Sequence, residues 1–222
     1  MPLDLSFTEE NYLKALYHLS DGSESVNTNA IAEHLQTSPA SVNDMIKKLA
    51  NKSLIGYKKY KGAILLPEGK KSALHIIRKH RLWEVFLVEK LGFKWDEVHE
   101  IAEQLEHIKS PLLVERLDQF LGMPAIDPHG DPIPDKDGNI KEVIKACLSD
   151  LPIGTKGILV NVSADDPALL KHLDKLEISL GVKIEIKDRV DFDGSISISV
   201  EDNNDQFISK DVGKFLMLTV IE

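Results

Sequence analysis

Cysteine is almost missing from this 222-residue chain: Cys147 stands alone, which excludes an internal disulfide and leaves no second thiolate to share a metal. It reads as an ordinary buried or half-buried residue. No stretch of roughly eighteen apolar residues occurs, so no transmembrane helix and no membrane partner are expected. The N-terminus, MPLDLSFTEENY, has neither a basic start nor an apolar signal core, and a cytoplasmic protein is expected. There is no internal repeat, no Gly-rich phosphate loop and no nucleophile motif. What remains is a globular composition, 42% hydrophobic with mean hydropathy −0.16, enough for one large or two small domains.

The net charge of −9 argues at first against nucleic acid, but its distribution argues otherwise. Between Ala40 and Arg81 eleven Lys and Arg face only Asp44 and Glu68, so this segment carries +9 and the remainder −18. A basic block inside an acidic chain is the footprint of a local polyanion site. The pattern around it predicts helices over Phe7–Ser20 (Thr8 as N-cap, Glu9 and Glu10 in the first turn), Thr28–Leu35 and Ser41–Asn51. Strands over Leu54–Tyr60 and Ala63–Leu66 then form a basic hairpin.

Helix, short helix, sharp turn, third helix and hairpin is the order of a winged helix-turn-helix, whose helix after the turn enters the major groove. Thr37, Ser38, Ala40, Ser41, Asn43, Asp44, Lys47 and Lys48 are its candidate DNA-facing residues. Among these, Ala40 suits a thymine methyl, Asn43 an adenine and Asp44 a cytosine amine. Lys58, Lys59, Tyr60 and Lys61 on the hairpin are candidate phosphate contacts.

Further on, helices are expected over Gly69–Lys90, Asp96–Ile108 and Leu112–Leu121, exposing an apolar face that suits a symmetric dimer. In VHEIAEQLEHIKSP, Val98, Ile101, Ala102, Leu105 and Ile108 form the apolar stripe, with His99, Glu103, Glu106 and His107 beside it. Carboxylates and imidazoles converging without sulfur suit Mn(II) or Fe(II) better than structural zinc. Glu103 stands where an H-E-x-x-H protease would place its second His. His80 and Glu84, four apart on the preceding helix, are a second metal-compatible pair. The stretch IDPHGDPIPDKDGN reads as a linker by its prolines and glycines. A short helix around Lys141–Ser149 is expected next, then strands over Thr155–Val162, Lys183–Val190, Ser195–Val200 and Lys214–Val220, with a helix over Asp166–Glu177: a small β-barrel.

Taken together, TEENYLKALY, NAIAEHLQTSPASVNDMIKKL, RKHRLWEVFL, VHEIAEQLEH and DPHGDPIP resemble the diphtheria-toxin-repressor/MntR family of metal-dependent transcriptional repressors over essentially the whole chain. The resemblance implies a mainly α protein with β. Its parts would be a winged helix-turn-helix domain (1–66), a helical dimerisation and metal domain (67–125), a linker with a short helix (126–148) and an SH3-like, FeoA-type barrel (149–222). It implies a homodimer that binds operator DNA when loaded with Mn(II) or Fe(II), two ions per subunit, and represses metal-uptake genes.

Carried onto this chain, the primary site would use Asn11, Glu103, Glu106 and His107, with Glu10 as a substitute for Asn11. The ancillary site would use His80, Glu84, His99 and a barrel carboxylate at Asp165 or Asp166. Two positions depart from the family. Iron-type members carry sulfur ligands where Glu103 and Asn11 stand. Manganese-type members carry Asp at the Asn11 position and Glu at the Lys14 position, and a protonated Lys is no ligand. The rival readings are a winged-helix regulator of a small organic ligand, with merely solvated carboxylates, and a metal-dependent hydrolase.

Overall fold

The computed structural model describes residues 4–20, 25–58, 62–141, 143–201 and 204–221. They form two compact units: residues 1–80, 105–110 and 134–140, and residues 81–104, 111–133 and 141–222.

The first unit opens with α1 (Phe7–Leu19). Its N-cap is Ser6, not Thr8, because Ser6 and Glu9 form a reciprocal capping box that Thr8 has no partner to make. α2 (Thr28–His34) is capped by Asn27, whose Oδ1 accepts from the Ala30 N–H at 2.8 Å. α3 (Pro39–Asn51) starts two residues before the expected Ser41. Pro39 occupies the first helical position, where a missing N–H costs nothing, and Ser38 caps it. β1 (Ile55–Lys58) and β2 (Gly62–Leu65) pair antiparallel, and Val26 bridges to Ala63. Leu13, Leu16, Ile31, Val42, Ile46, Leu49 and Leu54 form one buried core beneath these elements. This is a winged helix-turn-helix. Lys59, Tyr60 and Lys61, and the side chain of Lys58, lie outside the described residues.

A 25-residue helix, α4 (Pro67–Leu91), runs on from the hairpin. In the second unit Leu82 and Val85 of α4 pack with Leu117 of α6 (Pro111–Phe120) and with Ile133. α6 leaves Leu112, Leu113 and Phe120 exposed. α5 (His99–Leu105) is shorter than the expected Asp96–Ile108. The chain tightens after Leu105, with the Ile108 N–H returning to the Leu105 carbonyl at 3.2 Å, and Glu106 and His107 fall in this turn.

The C-terminal sheet has six antiparallel strands. They are β3 (Ala146–Cys147), β4 (Lys156–Val162), β5 (Lys183–Arg189), β6 (Ile196–Val200), β7 (Asn204–Ile208) and β8 (Leu216–Ile221), in spatial order β3-β8-β4-β5-β6-β7. α7 (Pro167–Lys175) buries Leu170 and Leu173 against Leu159, Ile184, Ile198 and Leu218.

The short helix expected around Lys141–Ser149 does not form. Ala146 and Cys147 instead pair with Leu218 and Met217, and one 3₁₀ turn, Leu148–Asp150, follows. Sheet pairing overrides local helix propensity there. The supposed linker is also built. Ile126 bridges to Pro132, and the Asp127 side chain accepts from the N–H groups of His129 and Asp131 at 2.8 and 3.0 Å. Its prolines and glycines fix a loop rather than loosen one. Among the described residues no helix is long and apolar enough to cross a membrane.

Candidate metal centres and nucleic-acid face

In the first unit, α1 presents Glu10, Asn11 and Lys14, which are helix neighbours at spacings of one, three and four. Glu106, from the turn after α5, has no solvent exposure. Its Oε2 receives the Lys14 ammonium at 2.7 Å and His80 Nδ1 at 2.6 Å. Burial works against ionisation of Glu106, but His80 and Lys14 outweigh it and hold the carboxyl below its ordinary pKa. The other oxygen, Oε1, is buried 3.9 Å from His107 Nε2, without a hydrogen-bond partner among the described residues.

His107 is held from behind. Its Nδ1 meets Glu10 at 2.6 Å, and its ring stacks on Phe7 with centroids 4.7 Å apart. A carboxylate on one ring nitrogen fixes the tautomer and aims the other, as behind metal-bound imidazoles. Asn11 Oδ1 is a second buried oxygen with no hydrogen-bond partner among the described residues. An unsatisfied buried carboxylate oxygen, Glu106 Oε1, 3.9 Å from an imidazole aimed from behind suits a divalent cation, because ligands sharing one ion stand roughly 3–4 Å apart.

In the second unit a different cluster forms. Glu84, Asp127 and His129 are all buried, with ligand atoms within 4.8 Å of one another. His129 Nε2 lies 2.9 Å from the Trp95 carbonyl, which can only accept, so Nε2 carries a proton and Nδ1 faces Glu84 Oε2 at 3.7 Å. Burial pushes the His129 pKa down, but Glu84 and Asp127 raise it to about 9. Burial lifts Asp127 to about 7, helped by Glu84 and Asp131, against Arg81 whose Nε is 3.4 Å away.

Beside this cluster His99 Nδ1 lies 2.9 Å from Asp165 and 3.8 Å from Glu84, and its Nε2 lies 3.7 Å from Glu103. Asp166, the alternative to Asp165, is spent capping α7: it accepts from the N–H groups of Ala168 and Leu169.

The structure therefore gathers Glu106, His107 and His80 in the first unit, with Lys14 among them. It gathers Glu84, His99, Glu103 and Asp165 in the second. His80 has its Nδ1 on Glu106 at 2.6 Å. Asp127 and His129 were missed. They sit in DPHG, where Pro and Gly around two titratable residues signal a fixed loop rather than a spacer.

The His99–Asp165 pair gives a pH expectation. Asp165, then Glu84, raise His99 from 6.5 to about 10, and His99 lowers Asp165 from 3.8 to about 2. The His99 contribution to stability is complete below pH 6.5 and is lost as pH rises through about 10. The Asp165 contribution is present above 3.8 and is lost as pH falls through about 2. Asp165→Asn is thus expected to flatten the decline in metal-free stability between pH 6.5 and 10, read by urea melts in chelator. Parallel curves for variant and parent would contradict the pair.

On α3 the buried stripe Val42, Ile46 and Leu49 leaves Ala40, Ser41, Asp44, Lys47 and Lys48 exposed and Asn43 half-buried. Thr37 is half-buried before the helix. The Ser38 hydroxyl is committed to the cap, accepting from the Ser41 N–H at 3.1 Å. Asp44 pairs with Lys47 at 3.1 Å on the exposed face, so a base would compete with that lysine for it. Lys48 and Lys52, at 3.3 and 2.7 Å, share buried Glu9 of α1 and tie the helix end to α1.

Three family profiles match the chain. "Iron dependent repressor, N-terminal DNA binding domain" covers residues 4–63, "Iron dependent repressor, metal binding and dimerisation domain" covers 66–135, and "FeoA domain" covers 146–219. The iron-dependent repressor IdeR of Mycobacterium leprae is 34% identical over 131 residues, 59% of this chain and 57% of that protein. The diphtheria toxin repressor of Corynebacterium diphtheriae is 30% identical over 210 residues, 88% of this chain and 90% of that one. A solved manganese-dependent transcriptional repressor in complex with manganese superimposes with TM-score 0.89 at 32% identity, covering 96% of this chain and all (100%) of that one. The repressor ScaR with bound Cd2+ superimposes with TM-score 0.82 at 36% identity, covering 96% of this chain and 99% of its own.

Proposed function

This chain belongs to the iron-dependent repressor family, the diphtheria-toxin-repressor/MntR group, and from that premise we propose that it is a metal-dependent DNA-binding transcriptional repressor and not an enzyme. One observation carries the mechanism. α1, a core helix of the winged helix-turn-helix, is itself a wall of the first metal centre, through Glu10 on His107 and Lys14 on Glu106. An ion held by Asn11, Glu106 and His107 would pin that helix to the turn after α5. Glu10 orients His107 rather than replacing Asn11. Metal would supply only a bound charge, and the protein would convert it into a fixed angle of the recognition helix.

The second centre takes Glu84, Asp127 and His129, with His99 and Asp165 beside them. Two ions per subunit would then mean one at each centre. All these donors are oxygen or nitrogen, which favours Mn(II), with Fe(II) next. The parts of the chain would run 1–66 for DNA, 67–125 for metal and dimer, 126–148 as the connecting loop and 149–222 as the FeoA-type domain. Exposed Leu112, Leu113 and Phe120 on α6 would meet their copies in a homodimer, which sets the two recognition helices one operator turn apart. Its regulated genes would be those for metal uptake, and its compartment the cytoplasm, where the DNA is. Metal must favour the DNA-competent arrangement over the alternative, or it represses nothing.

The test is operator binding by chelator-stripped protein, titrated with Mn(II) and, anaerobically, with Fe(II) at fixed salt, since phosphate contacts make affinity salt-dependent. Activation by Mn(II) at the lower concentration is expected. Tight binding indifferent to metal would leave a DNA-binding protein without a sensor. In the same assay Asn43→Ala should relax base preference by about 1–3 kcal/mol at one position, whereas Lys47→Ala should weaken all sequences alike.

A further inference from the structure

We propose that Asn161 of β4 is a positioning residue of the second centre: from the FeoA-type domain it holds the backbone of His129, and so sets how tightly that centre takes its ion. The inference rests on the reading of Glu84, Asp127 and His129 as a metal centre. Its support begins with an irregularity in the sheet. Residues opposite one another in an antiparallel pair share a face. Leu159 stands opposite Leu218 and Val162 opposite Leu216, all four in the barrel core. Between them the pairing skips Val160, and Asn161 stands opposite Met217. This bulge returns Val162 to the core and turns Asn161 to the outer face. Asn161 is nonetheless fully buried, because the DPHG loop lies on it, with Gly130 against its backbone.

The amide has one orientation that satisfies both of its neighbours. Lys145 Nζ can only donate and stands 2.6 Å from Oδ1, whereas the His129 carbonyl can only accept and takes Nδ2 at 3.0 Å. An ammonium on Oδ1 polarises the amide and strengthens Nδ2 as a donor. The Val162 N–H, at 2.9 Å, already gives that carbonyl a partner, so Asn161 is not needed to satisfy it. A second donor adds direction. The His129 N–H is on Asp127 Oδ1 at 2.8 Å, and Nε2 is on the Trp95 carbonyl at 2.9 Å. His129 is thus fixed at its amide nitrogen, its carbonyl and its ring. Nδ1 remains for an ion, 3.7 Å from Glu84 Oε2. Groups that orient a metal-bound imidazole govern affinity nearly as strongly as the ligands do. Asn161 does so through the peptide rather than through the ring.

The experiment measures the Kd for Mn(II) in the full-length His107→Ala protein, in which only the second centre is left, with free Mn(II) read by its solution EPR signal. Asn161→Asp keeps the size of the side chain and the Lys145 contact, but turns an oxygen toward the His129 carbonyl. It is expected to raise the Kd by about ten-fold or more. Lys145→Met leaves Asn161 in place and removes only the ammonium that fixes its amide. A smaller rise in the same direction is expected. On the His129→Ala background, where the first centre is the one left, Asn161→Asp is expected to leave the Kd unchanged.

An unchanged Kd at the second centre in a folded Asn161→Asp protein would overturn the inference and leave the metal reading standing. So would an equal weakening of both centres, which is the mark of a general loss of structure. No Mn(II) bound by His107→Ala with Asn161 intact would overturn the metal reading of the second centre and the inference with it. If Asn161→Asp does not fold, Lys145→Met decides: a raised Kd supports the inference, and an unchanged one overturns it.

Discussion

Glu106→Ala is expected to destabilise the metal-free protein by about 3–5 kcal/mol, the cost of removing one partner from a buried ion pair. The substitution strands the Lys14 ammonium in a nearly closed site and takes from His80 the acceptor at 2.6 Å. It also opens a small void, but the stranded charge is the larger effect. His107→Ala is the informative contrast. Glu10, which loses its imidazole partner, still has Lys79 at 3.7 Å, so the fold should survive while the metal response is lost. Urea melts in chelator, run beside Mn(II)-dependent operator binding, separate the two. Loss of stability in both variants would mean the turn after α5 is mainly structural. A Glu106→Ala protein as stable as its parent would show that the buried triangle of Lys14, Glu106 and His80 carries no energy.

That triangle also shows where reading the chain in one dimension stops. The winged helix-turn-helix was legible because its signals are local: Ser38 and Pro39 start a helix whose period-3.6 stripe, Val42, Ile46 and Leu49, has only one way to face inward. The first centre was half legible, because Glu106 and His107 are adjacent in sequence. Its other half was not. Lys14 meets Glu106 from 92 positions away, and no periodicity in either segment encodes that distance.

Errors of extent had the same origin. Helical spacing runs through Ile108, yet Glu106 and His107 leave α5 for contacts with α1 and α4, which outweigh one more turn of helix. β7 was missed because NDQFI alternates weakly and opens on two polar residues; its pairing with β6 supplies what propensity does not. The resemblance implied an ancillary site on His80, Glu84, His99 and a barrel carboxylate at Asp165 or Asp166. Asp127 and His129, in a loop whose composition read as a spacer, needed the folded loop to be seen at all.

Gly130→Ala tests that loop with the other large effect. Gly130 has φ +86°, and a β-carbon there would stand 2.0 Å from the Val160 carbonyl oxygen and 2.8 Å from Asn161 Cα. Both obstacles are backbone of β4, so neither can swing aside. The loop is also tied down just before the glycine: the His129 carbonyl accepts from the Asn161 side chain at 3.0 Å and from the Val162 N–H at 2.9 Å. To make room the loop must lift from β4, which breaks those bonds and carries His129 away from Glu84. Left-handed strain alone costs about 1 kcal/mol. A clash this close, plus two lost hydrogen bonds at about 1 kcal/mol each, brings the expected loss to about 3 kcal/mol or more.

The functional consequence is selective. Mn(II) bound per chain is expected to fall by one ion, the ion of the Glu84–Asp127–His129 centre, while the first centre, built on α1 and the turn after α5, keeps its own. His129→Ala, which removes the imidazole without moving the backbone, should lose the same ion with less loss of stability. If Gly130→Ala bound the full complement of metal, His129 would not be a ligand, and the loop would serve only to dock on β4.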